Sequence, residues 1–264
     1  MHRLFLLRVK QQWFLLLILA LCLISISFIL HLSWRILGGS SGQLMSLLRD
    51  GIEMLHVFGG AGISGTNLAP SFLALGWRHP IVIALLLGYV LSRGSKAVAA
   101  EVEEDTAGFL FSLPYPRPVI ILVDYLSTMV GLGLLVGVLI FGGLFFGRAF
   151  GPDLSVSIYM TTAWATFWLY MAFGSLAYFL SSLLKKTSYA LNISLLLVVL
   201  LYLIDLTGNM LGLFEGLQRF SLFGQYNIAY ALSGASLSME TFSFFSAAVF
   251  FLGLSLVVTT IRDL

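Results

Sequence analysis

The sequence predicts an all-α membrane protein, and two features of the chain support this prediction. Of its 264 residues, 59% are hydrophobic and only 10% are charged, whereas about a quarter of the residues are charged in an ordinary soluble domain. Apolar runs of about twenty residues recur along the chain, and each is long enough to cross a hydrocarbon core of about 30 Å as a helix. Six such runs are predicted as transmembrane helices, at about residues 13–36, 80–98, 119–146, 157–184, 189–206 and 242–261.

The residues at the starts of the predicted spans are typical of helix starts and of a membrane anchor. Pro80 and Pro118 stand at the starts of the second and third spans, where the missing backbone N–H of proline costs little. The first span follows a basic start and lacks a small-residue cleavage site, so we expect it to be a retained signal anchor. The chain shows no internal repeat and no low-complexity linker. Residues 1–264 are therefore predicted to form a single transmembrane domain.

The basic residues predict the orientation of the spans. If the N-terminus is cytoplasmic, nine of the fourteen Lys and Arg residues lie on the cytoplasmic side. Because basic residues concentrate on that side of a membrane, both termini are predicted to be cytoplasmic. The nine residues are Arg3, Arg8, Lys10, Arg93, Lys96, Arg117, Lys185, Lys186 and Arg262.

Two long segments are predicted on the outer side. Gly38–His79 contains a stretch, Gln43–Phe58, with leucine and isoleucine at helical spacing, which is typical of an amphipathic helix on the membrane surface. Thr207–Glu240 is too apolar for a solvated loop and is interrupted by too many glycines for a clean span. We expect short re-entrant or interfacial helices there, buried against protein.

Charge is concentrated in one island, Ser92–Pro118, between the second and third spans. It holds four of the twelve acidic residues of the chain, which are Glu101, Glu103, Glu104 and Asp105. An apolar stripe at helical spacing predicts an amphipathic helix through the island, formed by Val98, Val102, Phe109 and Leu113. Prolines at 114, 116 and 118 end that helix. The residues alone leave two interpretations open, a solvated connector and a helix whose acidic face docks to a basic partner surface.

The island resembles the cytoplasmic signature of ATP-binding-cassette (ABC) transporter permeases of the type-2 exporter class. The matching positions are Ala99, Glu101, Glu103, Thr106, the run Leu110–Leu113, Pro114 and Arg117. The sequence departs from the signature at Ala100 and Asp105, where the family has glycine. The six-span plan and the Gly76-Trp77-x-His79-Pro80 stretch are also similar to the family, so the resemblance covers nearly the whole chain.

This resemblance implies that the island is a coupling helix, which docks a separate ATPase subunit. The implied docking residues are Glu101, Glu103, Glu104, Thr106, Phe109, Leu113, Pro114 and Arg117. The sequence contains no G-x-x-x-x-G-K-[ST] motif, so ATP and Mg are expected on the partner subunit and no cofactor is expected in this chain. The ATPase activity is likewise expected in the partner, and this chain is not expected to be an enzyme.

The resemblance also implies the assembly and its place. Six spans are half of the usual twelve, which implies a second permease subunit, identical or similar, and two ATPase copies. The expected setting is the inner membrane of a prokaryote, in contact with lipid and open to an extracytoplasmic partner. The expected function is movement of a substrate across the membrane, with export as the expected direction. The alternative is a permease-fold scaffold or assembly factor that docks a partner without transport.

Few other residues qualify as functional sites. Asn192 and Asp205 lie in the fifth span and are candidates for polar residues of a translocation path, because polar groups at membrane depth usually face protein or water. Asp124, near the start of the third span, is interpreted as a helix-start acid, with a contact to the coupling helix or Arg117 as the alternative. Ser182 and Lys185 match the S-x-x-K pattern, but the lysine fits better as a cytoplasmic charge. The four histidines are scattered, so no metal site is expected, and the net charge of +2 gives no reason to expect nucleic acid.

Overall fold

The computed structural model describes residues 2–36, 68–106, 116–211, 216 and 221–261, and within these ranges the regular structure is helical, with no strand. This agrees with the predicted all-α class. In chain order the helices are α1 (His2–Ile36), α2 (Leu68–Trp77), α3 (Pro80–Lys96), α4 (Ala99–Glu103), α5 (Arg117–Phe150), α6 (Val156–Leu183), α7 (Thr187–Leu211), α8 (Leu222–Gln225), α9 (Ile228–Leu232) and α10 (Ser238–Ile261).

Five helices in the described part of the chain are long and apolar enough to cross a membrane. They are α1, α5, α6, α7 and α10, and they coincide with the predicted first, third, fourth, fifth and sixth spans. The predicted second span coincides with α3, whose 17 residues extend only about 25 Å. Because α3 is shorter than the other five, its crossing of the membrane stays a prediction.

The start of α3 is specified by two neighbouring residues. The His79 side chain accepts a hydrogen bond from the backbone N–H of Ile81 at 3.3 Å, and Pro80 occupies the first turn. A capping side chain and a proline in the first turn both suit a helix start, where backbone N–H groups have no partner within the helix. These two residues therefore define the start of α3, two residues after α2 ends at Trp77.

Helix α6 is the central helix, since it has the largest buried share of the five long helices. It packs tightly against α3, where a methyl group added at Gly94 would lie 2.7 Å from Cβ of Ala177 and 2.8 Å from the carbonyl oxygen of Gly174. On another side, α10 donates a hydrogen bond from Ser255 Oγ to the backbone carbonyl of Tyr178 at 3.2 Å. Small residues permit this close approach of helices. The core of the protein lies around α6.

The predicted outer segments are only partly described. The predicted surface helix Gln43–Phe58 lies outside the described residues. In the segment 207–240 the two short helices α8 and α9 are present, and Phe223, Ile228 and Leu232 from these helices are fully buried. Short, buried helices agree with the expectation for this segment, and their depth in a membrane stays a prediction.

Candidate functional site

The charged island folds, over residues 98–106, into one helical turn followed by a reverse turn, which we call the acidic turn. Its helix, α4, contains five residues and ends at Glu103. The amphipathic helix predicted through Phe109 and Leu113 is therefore interrupted, because the chain leaves the helical conformation directly after α4. Phe109, Leu113 and Pro114 lie outside the described residues.

The start of α4 is held by a side chain from the central helix. Ser181, near the end of α6, accepts hydrogen bonds from the backbone N–H groups of Val98 and Ala99 at 3.0 and 2.9 Å. The same hydroxyl donates to the carbonyl of Ser95 at 2.9 Å. One serine thus replaces the local cap that the helix lacks and fixes the acidic turn to α6.

The end of α4 is closed by a left-handed residue. Asp105 has φ of 54°, and the backbone N–H of Thr106 bonds to the carbonyl of Glu101 at 2.9 Å. Together with the longer bond from the Asp105 N–H to the Val102 carbonyl, this is the Schellman arrangement, in which glycine is the usual left-handed residue. Asp105 is one of the two positions at which the sequence departs from the resembled signature, and its positive φ explains why glycine suits that position.

Glu101 ties the acidic turn to the first helix. Its Oε1 accepts a hydrogen bond from the Arg8 guanidinium at 3.1 Å, and its Oε2 accepts one from the Thr106 hydroxyl at 2.7 Å. Arg8 and Glu101 are both about one-fifth exposed, so this ion pair is shielded in part from water. Both oxygens of the carboxylate therefore have partners within the chain.

Asp124 on α5 is the buried centre of this charge cluster. Its Oδ1 accepts a 2.6 Å hydrogen bond from Arg93 and lies 3.6 Å from Arg8 Nε, and its Oδ2 accepts a 2.6 Å hydrogen bond from the Tyr178 hydroxyl. The sequence interpretation as a helix-start acid is therefore incomplete, because Asp124 pairs with two arginines. Two cations and two anions balance here, which makes their burial tolerable.

Glu103 ties the acidic turn to another helix. Its Oε2 accepts the backbone N–H of Thr187, the first residue of α7, at 2.9 Å. This hydrogen bond and a second one from the Thr187 side chain, with a smaller contribution from the nearby Lys186 ammonium, hold the pKa of Glu103 below its ordinary value. A carboxylate at a helix start also interacts favourably with the helix dipole. Glu103 thus caps a helix that is distant from it in the sequence.

The remaining predicted docking residues have different surroundings. Glu104 is exposed, Thr106 is partly buried, and Arg117 begins α5. Of the acidic residues of the island, Glu101 and Glu103 contact other helices, and Glu103 is exposed, as are Glu104 and Asp105.

A neutral hydrogen-bond chain lies beside the charge cluster. The Gln12 side chain on α1 donates to the backbone carbonyl of Ser127 at 2.9 Å and accepts from the Tyr89 hydroxyl at 2.8 Å. Gln12 and its two partners, Tyr89 and Ser127, are all buried. These contacts connect α1 with α5 and α3.

Asp205, one of the two predicted path residues, is buried near the opposite end of α7. It forms an ion pair with Arg78, and both side chains are only 3% exposed. Arg78 also donates to the backbone carbonyl of Tyr226 at 3.3 Å, and the Tyr226 hydroxyl bonds to Thr166 Oγ1 at 2.6 Å. This cluster joins the α2–α3 connection, α6, α7 and the α8–α9 connection.

Asn192, the other predicted path residue, is exposed on the surface of α7. Its neighbours Ile193 and Leu196 are exposed too, so an amide stands on an apolar face. Ser182 of the S-x-x-K match is buried and donates to the carbonyl of Phe179 at 2.7 Å, which is ordinary helix-end bonding.

A groove of about 770 Å³ lies between α6 and α10. Most of its lining is apolar or aromatic, and Trp168 and Phe245 meet there edge to face with ring centroids 4.7 Å apart. The lining residues are Met160, Thr161, Trp164, Trp168, Ser236, Leu237, Ser238, Thr241, Phe242 and Phe245. Such a groove suits an apolar molecule.

Sequence reasoning missed the partners of the acidic turn. Arg8 and Arg93 served only as markers of orientation, and Ser181 and Thr187 stood at span ends without a visible role. The position of Asp124 could have indicated the arginines. An acidic residue within a span needs a cation nearby, and Arg8 and Arg93 lie at the predicted cytoplasmic ends of neighbouring spans.

The comparisons with known proteins identify the family. The model of the family described as ABC-2 family transporter protein matches residues 5–261, which is nearly the whole chain. No curated protein and no solved structure gave a significant match. Five apolar helices of membrane-spanning length and a family match of this extent lead to one conclusion: the chain belongs to the ABC-2 family of transporter proteins and is a permease of the ABC-2 type.

Proposed function

We propose that this permease moves a substrate across the membrane with energy from ATP that a separate ATPase subunit hydrolyses. The ATPase docks on the acidic turn and on the residues that follow it, which include Phe109, Leu113, Pro114 and Arg117. ATP and Mg bind to the partner. Export is the proposed direction.

The observation that best supports this proposal is the construction of the acidic turn. Ser181 fixes its start, Asp105 closes its end, and the exposed carboxylates of Glu104 and Asp105 stand on the outside of this braced turn. A solvated connector needs no such bracing, because charge alone would keep it in water. A rigid charged turn suits the docking of a partner that exerts force on it.

The assembly that we propose has two permease subunits, identical or similar, and two ATPase copies in the inner membrane of a prokaryote. Helix α3 crosses the membrane as the second span and brings the total to six. With six spans, both termini and the acidic turn lie on the cytoplasmic side. In this arrangement the exposed Asn192 faces a second permease subunit or a water-filled path, since an amide on an apolar helix face is costly in lipid. Asp205 stays a candidate path residue. Because it is paired with Arg78, a substrate could contact its carboxylate only when that ion pair opens.

The test is purification of the protein with its native companions, followed by identification of a P-loop ATPase among them. Glu104→Lys reverses an exposed charge on the acidic turn and should weaken ATPase binding about tenfold or more. Asp153→Lys is the matched control, because Asp153 is also exposed but lies between α5 and α6. Its binding should equal that of the wild type.

Two results would contradict the proposal. Absence of any co-purifying ATPase would remove its energy source, and equal binding by both lysine variants would remove the acidic turn from the interface. An ATPase complex whose turnover responds to no cargo would favour a scaffold that docks a partner without transport.

A further inference from the structure

We propose that the acidic residues of the acidic turn divide two tasks between them. Glu101 and Glu103 transmit movement of the turn to α1 and α7, whereas Glu104 and Asp105 contact the ATPase. This inference rests on the proposed function, because the ATPase is the source of the movement. Glu101 and Glu103 are thus positioning residues, which act through the helices that they hold.

The first link runs from Glu101 to α1. The carboxylate binds Arg8 through Oε1, and the Thr106 hydroxyl fixes its Oε2. Since the internal bond to Thr106 makes the side chain part of the turn, displacement of the turn pulls on Arg8. Arg8 lies 3.6 Å from Asp124, so an alternative anion is present to receive it when Glu101 withdraws. Two carboxylates that share one arginine provide two discrete arrangements of this link.

The second link runs from Glu103 to α7. It ends on the backbone of Thr187, at a helix start where the N–H groups have no partner within the helix. Because the bond is to the main chain, force on Glu103 acts on α7 directly and requires no rotamer change in α7. The ammonium of Lys186 adds attraction at the same place.

The start of α4 provides the fixed point. Ser181 binds the backbone N–H groups of Val98 and Ala99, so the first residues of the turn stay with the central helix α6. Glu101 and Glu103 lie two and four residues beyond Ala99, towards the free end. A turn that is fixed at one end and pushed at the other tilts, and the two links pass the tilt to α1 and α7.

The partners that each carboxylate already has determine which residues dock. A lysine or arginine from the ATPase that approached Glu101 would have to displace Arg8 and Thr106. Glu103 is exposed, but a cation that bound it would compete with the N–H of Thr187. Glu104 and Asp105 are exposed as well, and binding a cation there disrupts no such helix contact. Docking and transmission are thus assigned to different side chains within a few residues.

The experiment uses the complete complex in lipid nanodiscs with saturating ATPase subunit and a thiol-reactive environment-sensitive fluorophore. Cys22, the only cysteine of the chain, is exposed on α1 and reports that helix. A cysteine introduced as Leu196→Cys in a Cys22→Ser background reports α7, since Leu196 is exposed there. In the wild type, ATP should shift the emission of both probes.

The variants separate the two links. Glu101→Gln and Arg8→Gln should each reduce the ATP-induced shift at Cys22 about fivefold or more and spare the α7 probe, and the double variant should be no worse than either one. Glu103→Gln should do the reverse. Thr187→Pro removes the N–H donor at a helix position that tolerates proline, so it should reproduce Glu103→Gln, whereas Thr187→Ser keeps both the N–H and the hydroxyl and should retain the shift. All of these variants should bind the ATPase normally.

Three results would count against the inference. Unchanged shifts of both probes in Glu101→Gln and Glu103→Gln would overturn the transmission role. Loss of ATPase binding in these two variants, with normal binding in Glu104→Lys, would exchange the assigned tasks. A wild-type protein that binds no ATPase would overturn the proposed function itself, and the inference with it.

Discussion

Tyr178 on α6 donates its hydroxyl hydrogen to Asp124 on α5 at 2.6 Å, below the acidic turn. The phenol occupies Oδ2 and thereby leaves Oδ1 for the arginines. The central helix thus orients the carboxylate that balances the two cations. Asp124 thus connects α5 with α1, α3 and α6.

Replacement of Asp124 should therefore destabilise the whole helix bundle. Asp124→Ala removes the counter-charge of Arg93 and leaves Arg8 with Glu101 alone, and we expect a loss of about 3 kcal/mol of unfolding free energy. Tyr178→Phe removes two hydrogen bonds, one to Asp124 and one between the phenol and the Thr128 hydroxyl, and should cost about 2 kcal/mol. Unfolding of the purified protein in mixed micelles measures both values. The exposed Glu104→Ala is the control and should stay near wild type, and an equally stable Asp124→Ala would show that the cluster contributes nothing.

The Arg78–Asp205 pair gives a second stability prediction. Arg78→Ala leaves the carboxylate of Asp205 buried with its principal cation removed, which should cost about 3–5 kcal/mol. Arg78→Met/Asp205→Leu removes both charges and fills the space with apolar groups, so it should be more stable than Arg78→Ala. The same unfolding measurement compares them. If the double variant is the less stable of the two, buried charge is not the cause of the loss.

The left-handed conformation of Asp105 predicts a stabilising substitution. Glycine adopts positive φ without the steric penalty of a Cβ atom, so Asp105→Gly should raise the stability of the acidic turn by up to about 1 kcal/mol. Asp105→Val should lower it, because a branched side chain disfavours this conformation. Hydrogen exchange of the Thr106 amide, which closes the turn, reports the change. Slower exchange in the valine variant would contradict the assignment.

Two glycines of α3 form a matched pair. A methyl group at Gly94 would lie within 3 Å of atoms of α6, whereas one at Gly88 would meet nothing within 4 Å. We expect Gly94→Ala to destabilise by about 1–3 kcal/mol and Gly88→Ala to be neutral or stabilising, since alanine favours a helix over glycine. Thermal unfolding followed by tryptophan fluorescence distinguishes them. Equal unfolding temperatures would mean that α3 and α6 do not pack as described.

The bond from Thr187 to Glu103 should make the start of α7 sensitive to acid. Because the folded pKa of Glu103 lies below its ordinary value of about 4.5, its stabilising contribution is present above that value and is lost as the pH falls through the folded pKa. Hydrogen exchange of the Thr187 amide, corrected for intrinsic rates, should therefore accelerate in that acidic range. Glu103→Gln should lack this acid-induced step. A step of the same size in both proteins would assign it to another group.

Hydropathy was sufficient to predict the long helices, because an apolar run of about twenty residues can cross a bilayer only as a helix that satisfies its own backbone hydrogen bonds. It failed at the helix ends: α5 begins at Arg117 and continues to Phe150, beyond the predicted 119–146, since charged and aromatic ends extend a helix past the hydrocarbon boundary. The amphipathic helix predicted through the island is present from Ala99 but ends at Glu103, earlier than its apolar stripe indicated. Its apolar stripe could not reveal that Asp105 would adopt positive φ, because that conformation follows from how the turn closes.

The candidate site could likewise be predicted only in part. The acidic residues were visible as a local concentration of charge, and the family signature pointed to the same positions. Their partners were not, because Arg8 is 93 residues from Glu101 and Thr187 is 84 residues from Glu103. One of these partners is a backbone N–H, which no pattern of side chains can mark. Contacts between distant helix ends depend on packing, and packing is specified by the whole bundle.

The buried Arg78–Asp205 pair also has a consequence for biosynthesis. The two residues are 127 positions apart, so the ribosome makes Arg78 well before its partner exists. An arginine without a counter-charge is costly in an apolar interior, and it must therefore remain hydrated while α5, α6 and most of α7 are synthesised. Arg78, in the α2–α3 connection, can be buried only after Asp205 has been made. The last step in assembling this end of the bundle is thus set by chain order, and a truncated chain that stops before Asp205 should remain open there.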